Sequence, residues 1–194
     1  MSKKLNNIAE LIPIQLDNVK LYECWETFLK HHKDSIEWQF RVIVKPNLFP
    51  DYVVNLLESI CTAINQQPKN YILQVFDKGL FDYKTFLNVV HKDIDRQSCI
   101  TLPIIYNQME SLLFYDDILG IDPGEYRKNY NKPWPEKPIQ VCRYSTTHPT
   151  LVNVQKLHNV RVLDTVSPRI LLQLSFDIGF YDLMEQNPCL WQVI

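Results

Sequence analysis

Val89-Val90-His91-Lys92-Asp93, followed by Ser98-Cys99-Ile100-Thr101-Leu102-Pro103-Ile104, is the stretch from which the fold is read. It reads as a strand ending in a His-x-Asp pair, then a second strand. Side chains at i and i+2 of a strand point to the same side. His91 and Asp93 therefore reach toward one point while Lys92 points away. Downstream, Pro149-Thr150-Leu151-Val152-Asn153-Val154-Gln155-Lys156-Leu157-His158 reads as a strand that brings in a second imidazole. Ser167-Pro168-Arg169-Ile170-Leu171-Leu172-Gln173-Leu174-Ser175-Phe176 reads as a third. On it Arg169, Leu171, Gln173 and Ser175 share one face, and Ile170, Leu172, Leu174 and Phe176 share the other.

Two imidazoles and a carboxylate on one face of an octahedron are the donor set of a non-haem Fe(II) centre whose remaining positions stay open. The third ligand can come from any neighbouring strand, so its distance in sequence is free. The candidate metal ligands are His91, Asp93 and His158. Arg169 suits an anionic ligand beside them, because a guanidinium grips a carboxylate with two N–H groups. Facing inward, it needs such a partner; Asp164 and Asp177, at the strand's ends, are expected to be solvated.

Working outward, short strands separated by turns follow residue 70: 71–76, 85–91, 98–105, 111–115, 139–144, 151–158 and 169–176. That spacing favours a sandwich or barrel over alternating β-α units. Tyr22, Trp25, Phe28 and Leu29 recur at helical spacing and predict a helix over 19–32. His31 and His32 close it and read as surface residues. Residues 38–44 alternate as a strand stopped by Pro46. Pro50-Asp51 opens the clearest helix, 51–65, with Val53, Leu56, Leu57, Ile60, Cys61 and Ile64 in one apolar stripe. Gln66-Gln67-Pro68 ends it. The expected fold class is α+β: a double-stranded β-helix (a jelly roll, cupin-like) with the N-terminal helices packed on one sheet.

One domain is expected over 1–194, with an arm at 1–17, the β core at 70–177 and an inserted loop at 116–138. The loop carries Tyr126, Arg127, Tyr130 and Trp134, and its length suits a substrate lid as well as a solvated decoration. The tail 177–194 is expected to cap the sheet or to form a homodimer surface.

The chain has 194 residues, 46% hydrophobic and 22% charged, with net charge -2, enough for a sizeable core. That balance argues against a dedicated nucleic-acid binder, whose footprint is a basic stripe. Five cysteines without CxxC spacing fit a reduced, intracellular (cytoplasmic) protein and give no zinc knuckle. No signal peptide and no membrane-length apolar run is read. The four glycines stand apart, which removes P-loop and Rossmann readings.

His91-x-Asp93, His158 and Arg169 in this order, within "HKDIDRQSCITLPI" and "PTLVNVQKLHNV…SPRILLQLSF", resemble the 2-oxoglutarate/Fe(II)-dependent oxygenases. The likeness covers roughly residues 70 to 177. It is nearest to small oxygenase-like proteins of the kind found in phages, in which case the host cytoplasm is the location, and to the aspartyl/asparaginyl hydroxylase branch. It implies Fe(II) on His91, Asp93 and His158, with 2-oxoglutarate as co-substrate and its far carboxylate on Arg169. It also implies a dioxygenase that hydroxylates a small molecule or protein side chain and releases succinate and CO₂. Many relatives place a Ser two residues after the Arg, where this chain has Leu171. Thr101 is a further candidate donor to the same carboxylate; its bland reading is a β-former. Arg96 is a rival anchor whose preferred reading is a loop arginine. Two other readings stay open: a non-catalytic jelly-roll binding or structural protein, and a cupin-like metal enzyme without 2-oxoglutarate.

Overall fold

A computed structural model describes residues 7–80, 91–106, 110–115, 140–162 and 167–194. The expected lid at 116–138, most of the expected strand 85–91, and Asp164 lie outside the described residues.

The described strands are β1 (Ile8–Leu11), β2 (Arg41–Val44), β3 (Asn70–Phe76), β4 (Ser98–Ile105), β5 (Glu110–Tyr115), β6 (Gln140–Tyr144), β7 (Thr150–Val152), β8 (His158–Val162), β9 (Arg169–Phe176) and β10 (Trp191–Val193). They form a seven-stranded sheet, ordered β10-β1-β7-β4-β9-β3-β2, and a three-stranded sheet, ordered β6-β5-β8. Every pairing is antiparallel. The protein is thus a mixed helix and antiparallel-sheet structure.

Two helices cover one face of the large sheet. In α1 (Asn18–His32), Asp17 caps the N-terminus by accepting from Val19 N and Lys20 N. In α2 (Asp51–Ile64), the apolar stripe is buried as the periodicity predicts. That helix stops at Asn65, one residue before the expected signal. Asn65 takes the left-handed conformation (φ 51°), which Asn tolerates, and its N–H reaches the carbonyls of Cys61 and Thr62. The stripe packs with Leu73, Val75, Ile100, Leu102, Ile170, Leu172, Leu174 and Phe176 of the sheet. Each such side chain contributes roughly 1.5–3 kcal/mol when fully buried.

The first and the last of the described strands belong to this sheet. The expected arm is a strand: β1 lies between β7 and β10, with Ile8, Ala9 and Leu11 buried. The tail forms α3 (Phe180–Gln186), whose Phe180 and Leu183 enter the helix-side core, and then the edge strand β10. No helix of the described residues is long and apolar enough to cross a membrane.

The other face of the large sheet meets the small sheet. Cys99 and Val152 from the large sheet, with Leu112, Phe114 and Tyr144 from the small one, form a second core cluster. Beside it lies a cavity of about 190 Å³. The chain crosses between the sheets where one strand, 151–158, was expected. β7 ends at Val152, a turn closed by Lys156 N to Asn153 O follows, and β8 starts at His158 in the small sheet.

Candidate metal centre

The backbone sets the pair first. His91 and His158 exchange two N–H···O=C bonds of 2.9 Å as an isolated antiparallel bridge. Directly opposed residues put their side chains on one face, and the two rings lie 4.5 Å apart. Two residues on, Asp93 N–H donates to Val154 O at 2.9 Å. The segment 91–93 is thereby tied along the crossover between β7 and β8. One ligand atom from each of His91, Asp93 and His158 lies within 4.8 Å of the others.

The chemistry of these donors fits a metal ion. His158 Nδ1 is 2.8 Å from Lys156 O. A carbonyl only accepts, so Nδ1 carries the proton and Nε2 keeps a lone pair. This second hydrogen bond is the usual support of a metal-binding imidazole. Burial, then the neighbouring His91, pushes the His158 pKa down to about 4, so the ring is neutral. Burial alone would raise the carboxyl of Asp93. The Arg96 guanidinium and the two imidazoles outweigh it and hold the group well below the usual carboxylate range.

Arg96 lies in the irregular segment before β4, a loop arginine as read, but its side chain is buried. It is 5% exposed, and its Nε donates to Asp93 Oδ2 at 2.6 Å. Its Nη1 lies 3.2 Å from each of Cys99 Sγ, Gln173 Oε1 and Ser175 Oγ. The guanidinium is therefore consumed in fixing the carboxylate rather than left to a co-substrate. Desolvation pushes the Cys99 thiol up to about 11, so it stays protonated beside Arg96. Gln155 Nε2 donates to the carbonyls of Asp93 (2.9 Å) and Arg96 (2.7 Å) and so closes the 93–96 loop.

Arg169 points into the same cavity with Leu171 and Gln173, as the alternation along β9 predicts. It is 1% exposed. Nη1 donates to Gln74 Oε1 at 2.7 Å, and the guanidinium lies 4.9 Å from the centre of the Phe76 ring. Burial pushes its pKa down to about 9. Thr101 also lines the cavity, but its hydroxyl donates to Thr150 O at 3.3 Å, so its proton is directed at the backbone. Asp177 is exposed and pairs with Lys69 at 3.0 Å.

Sequence reading passed over Arg96 as an element of the site and missed Gln155 and Gln74. Only the parity of Gln74 on β3 hinted at its position.

No protein-family model matches the sequence, and comparison with curated proteins returns no match. Solved structures do match. AviO1 from Streptomyces viridochromogenes Tue57 is 13% identical with a TM-score of 0.50, over 91% of this chain and 92% of that one. SnoK, a non-heme alpha-ketoglutarate dependent carbocyclase from nogalamycin biosynthesis, is 10% identical with a TM-score of 0.50, over 89% of this chain and 82% of that one. The chain shares their fold. At such identities the likeness extends to the arrangement of helices and sheets and no further.

Proposed function

We propose that the chain is a 2-oxoglutarate- and Fe(II)-dependent dioxygenase, its two sheets forming a double-stranded β-helix. The observation that carries this reading is the convergence of His91, Asp93 and His158 in the cavity that also holds Arg169. The fold shared with a non-heme alpha-ketoglutarate dependent enzyme supports it.

His91, Asp93 and His158 hold the iron, which when bound supplies oxidative decarboxylation of 2-oxoglutarate by O₂ and the oxidation of substrate. The chain's own residues do the rest. Lys156 O fixes the tautomer of His158. Arg96 occupies Asp93 Oδ2 and leaves Oδ1, 3.6 Å from His91 Nε2, for the metal. Arg169 binds the far carboxylate of the co-substrate. Phe76, Leu112, Val152, Val154, Val160 and Leu171 make the walls apolar and exclude water. About 190 Å³ is the volume of roughly six waters of the liquid. The co-substrate takes most of that, so the substrate presents its reacting carbon from the mouth.

The test is iron-dependent turnover. Protein purified without oxygen, loaded with Fe(II) and then given O₂ and 2-oxoglutarate should form succinate; Asp93→Ala should not. Iron binding without succinate, and without any response to 2-oxoglutarate, contradicts the proposal.

A further inference from the structure

We propose that Gln74 is a co-substrate-binding residue: together with Arg169 it forms the site for the far carboxylate of 2-oxoglutarate. This rests on the dioxygenase reading and adds a ligand-binding residue to it.

The argument begins with register. β3 lies between β2 and β9, and Gln74 stands directly opposite Arg41 on one side and Leu171 on the other. Leu171, two residues along the cavity-facing side of β9 from Arg169, offers no polar atom beside it. Directly opposed residues of an antiparallel pair have Cβ atoms about 4.5–5.5 Å apart. A longer polar side chain opposite Leu171 therefore reaches past it into the cavity. Gln74 does so, lining the cavity with Arg169, Leu171 and Phe76.

Its amide orientation is fixed by chemistry. Arg169 has only donors, so the atom 2.7 Å from its Nη1 must be the carbonyl oxygen of the amide. The NH₂ end then remains. Gln74 is 7% exposed, and among the described residues no acceptor takes its Nε2 hydrogens. Gln74 lines the cavity, and an amide N–H₂ left over on a cavity wall is the form that a site built to hydrogen-bond a ligand has before the ligand arrives. A carboxylate bound between Arg169 and Gln74 accepts from both. Gln74 Oε1 meanwhile fixes the rotation of the guanidinium.

The test compares two 2-oxo acids. Pyruvate has the metal-chelating end of 2-oxoglutarate but lacks the far carboxylate. Metal-loaded, oxygen-free protein is titrated with each, pyruvate by competition. Wild type should bind 2-oxoglutarate more tightly. Gln74→Glu puts a competing carboxylate on Arg169 and removes the donor. It should weaken 2-oxoglutarate by about tenfold or more while pyruvate and metal affinity change by less than about twofold. Gln74→Met, close in volume and unable to donate, should weaken 2-oxoglutarate alone by about three- to tenfold; it decides the matter if the Glu variant does not fold. Unchanged 2-oxoglutarate affinity in both variants, or equal weakening of both ligands, overturns the assignment of Gln74. A wild type that binds 2-oxoglutarate no better than pyruvate overturns the dioxygenase reading instead.

Discussion

Arg96 Nε lies 2.6 Å from Asp93 Oδ2, and both side chains are almost wholly buried. The pair is three residues apart, folded back on itself and closed by Gln155. In the metal-free protein this guanidinium is the strongest of the charges keeping Asp93 ionised. Arg96→Leu strands a buried carboxylate, which costs about 3–5 kcal/mol. A divalent ion supplies the missing positive charge. Urea unfolding with and without Co(II) should show a larger metal-induced gain in Arg96→Leu than in wild type. Equal gains would mean that Arg96 and the metal do not share the carboxylate.

Gln155 offers a milder test of the same loop. Gln155→Ala leaves the carbonyls of Asp93 and Arg96 without their donor. Losing an outer support of a metal ligand weakens metal binding by about ten- to a hundredfold. Metal titration followed by calorimetry reads this, and an unchanged affinity would show that the loop is held by Arg96 alone.

The pH dependence of the metal-free protein follows from His158. Its pKa is 6.5 in an open chain and about 4 when folded. Between these values the unfolded chain holds more protons, so stability rises with pH. The contribution is present above about pH 6.5 and is lost as pH falls toward 4, roughly 3 kcal/mol in all. Asp93, whose folded pKa is lowered, loses its contribution in the same direction at more acid pH. Urea midpoints across pH 4–7 should fall steeply toward acid in wild type and less so in His158→Gln. Parallel curves would contradict the burial of a neutral ring.

Helix packing and the metal centre lie on opposite faces of the large sheet, so they should vary independently. Leu57, 2% exposed in α2, belongs to the helix-side cluster. Leu57→Ala should cost about 2–5 kcal/mol in chemical unfolding. Its metal affinity should stay within about twofold, since distant sites couple weakly. A large loss of metal affinity would show the sheet to be mechanically soft.

Alternation and helical periodicity made much of this structure legible. β9 shows why: Arg169, Leu171 and Gln173 face the cavity, while Ile170, Leu172, Leu174 and Phe176 face the helices. The crossover after Val152 was not legible. Leu151, Val152 and Val154 continue a β-forming pattern without Gly or Pro, and the turn at Asn153 rests on hydrogen bonds to Asn7, just before β1, and to Lys156. The inward turn of Arg96 was not legible, because a short irregular segment carries no periodicity to say which way a side chain turns. Gln74 was legible only in its parity, for another reason. Its meaning lies in register with Leu171, ninety-seven positions on by their numbers, and sequence spacing does not encode that pairing.

The central claim is that one metal, held by His91, Asp93 and His158, receives 2-oxoglutarate anchored by Arg169. Thermal unfolding of oxygen-free protein tests it most directly, with Fe(II), 2-oxoglutarate or both, in wild type, Asp93→Ala and Arg169→Ala. A ligand that binds only the native state raises apparent stability. Wild type should be stabilised by Fe(II) and further by 2-oxoglutarate, the second gain requiring the first. Asp93→Ala should lose both gains. Arg169→Ala should keep the gain from Fe(II) and need about ten- to a hundredfold more 2-oxoglutarate for the other. A response to 2-oxoglutarate that is independent of iron, or undiminished in Arg169→Ala, would contradict the claim.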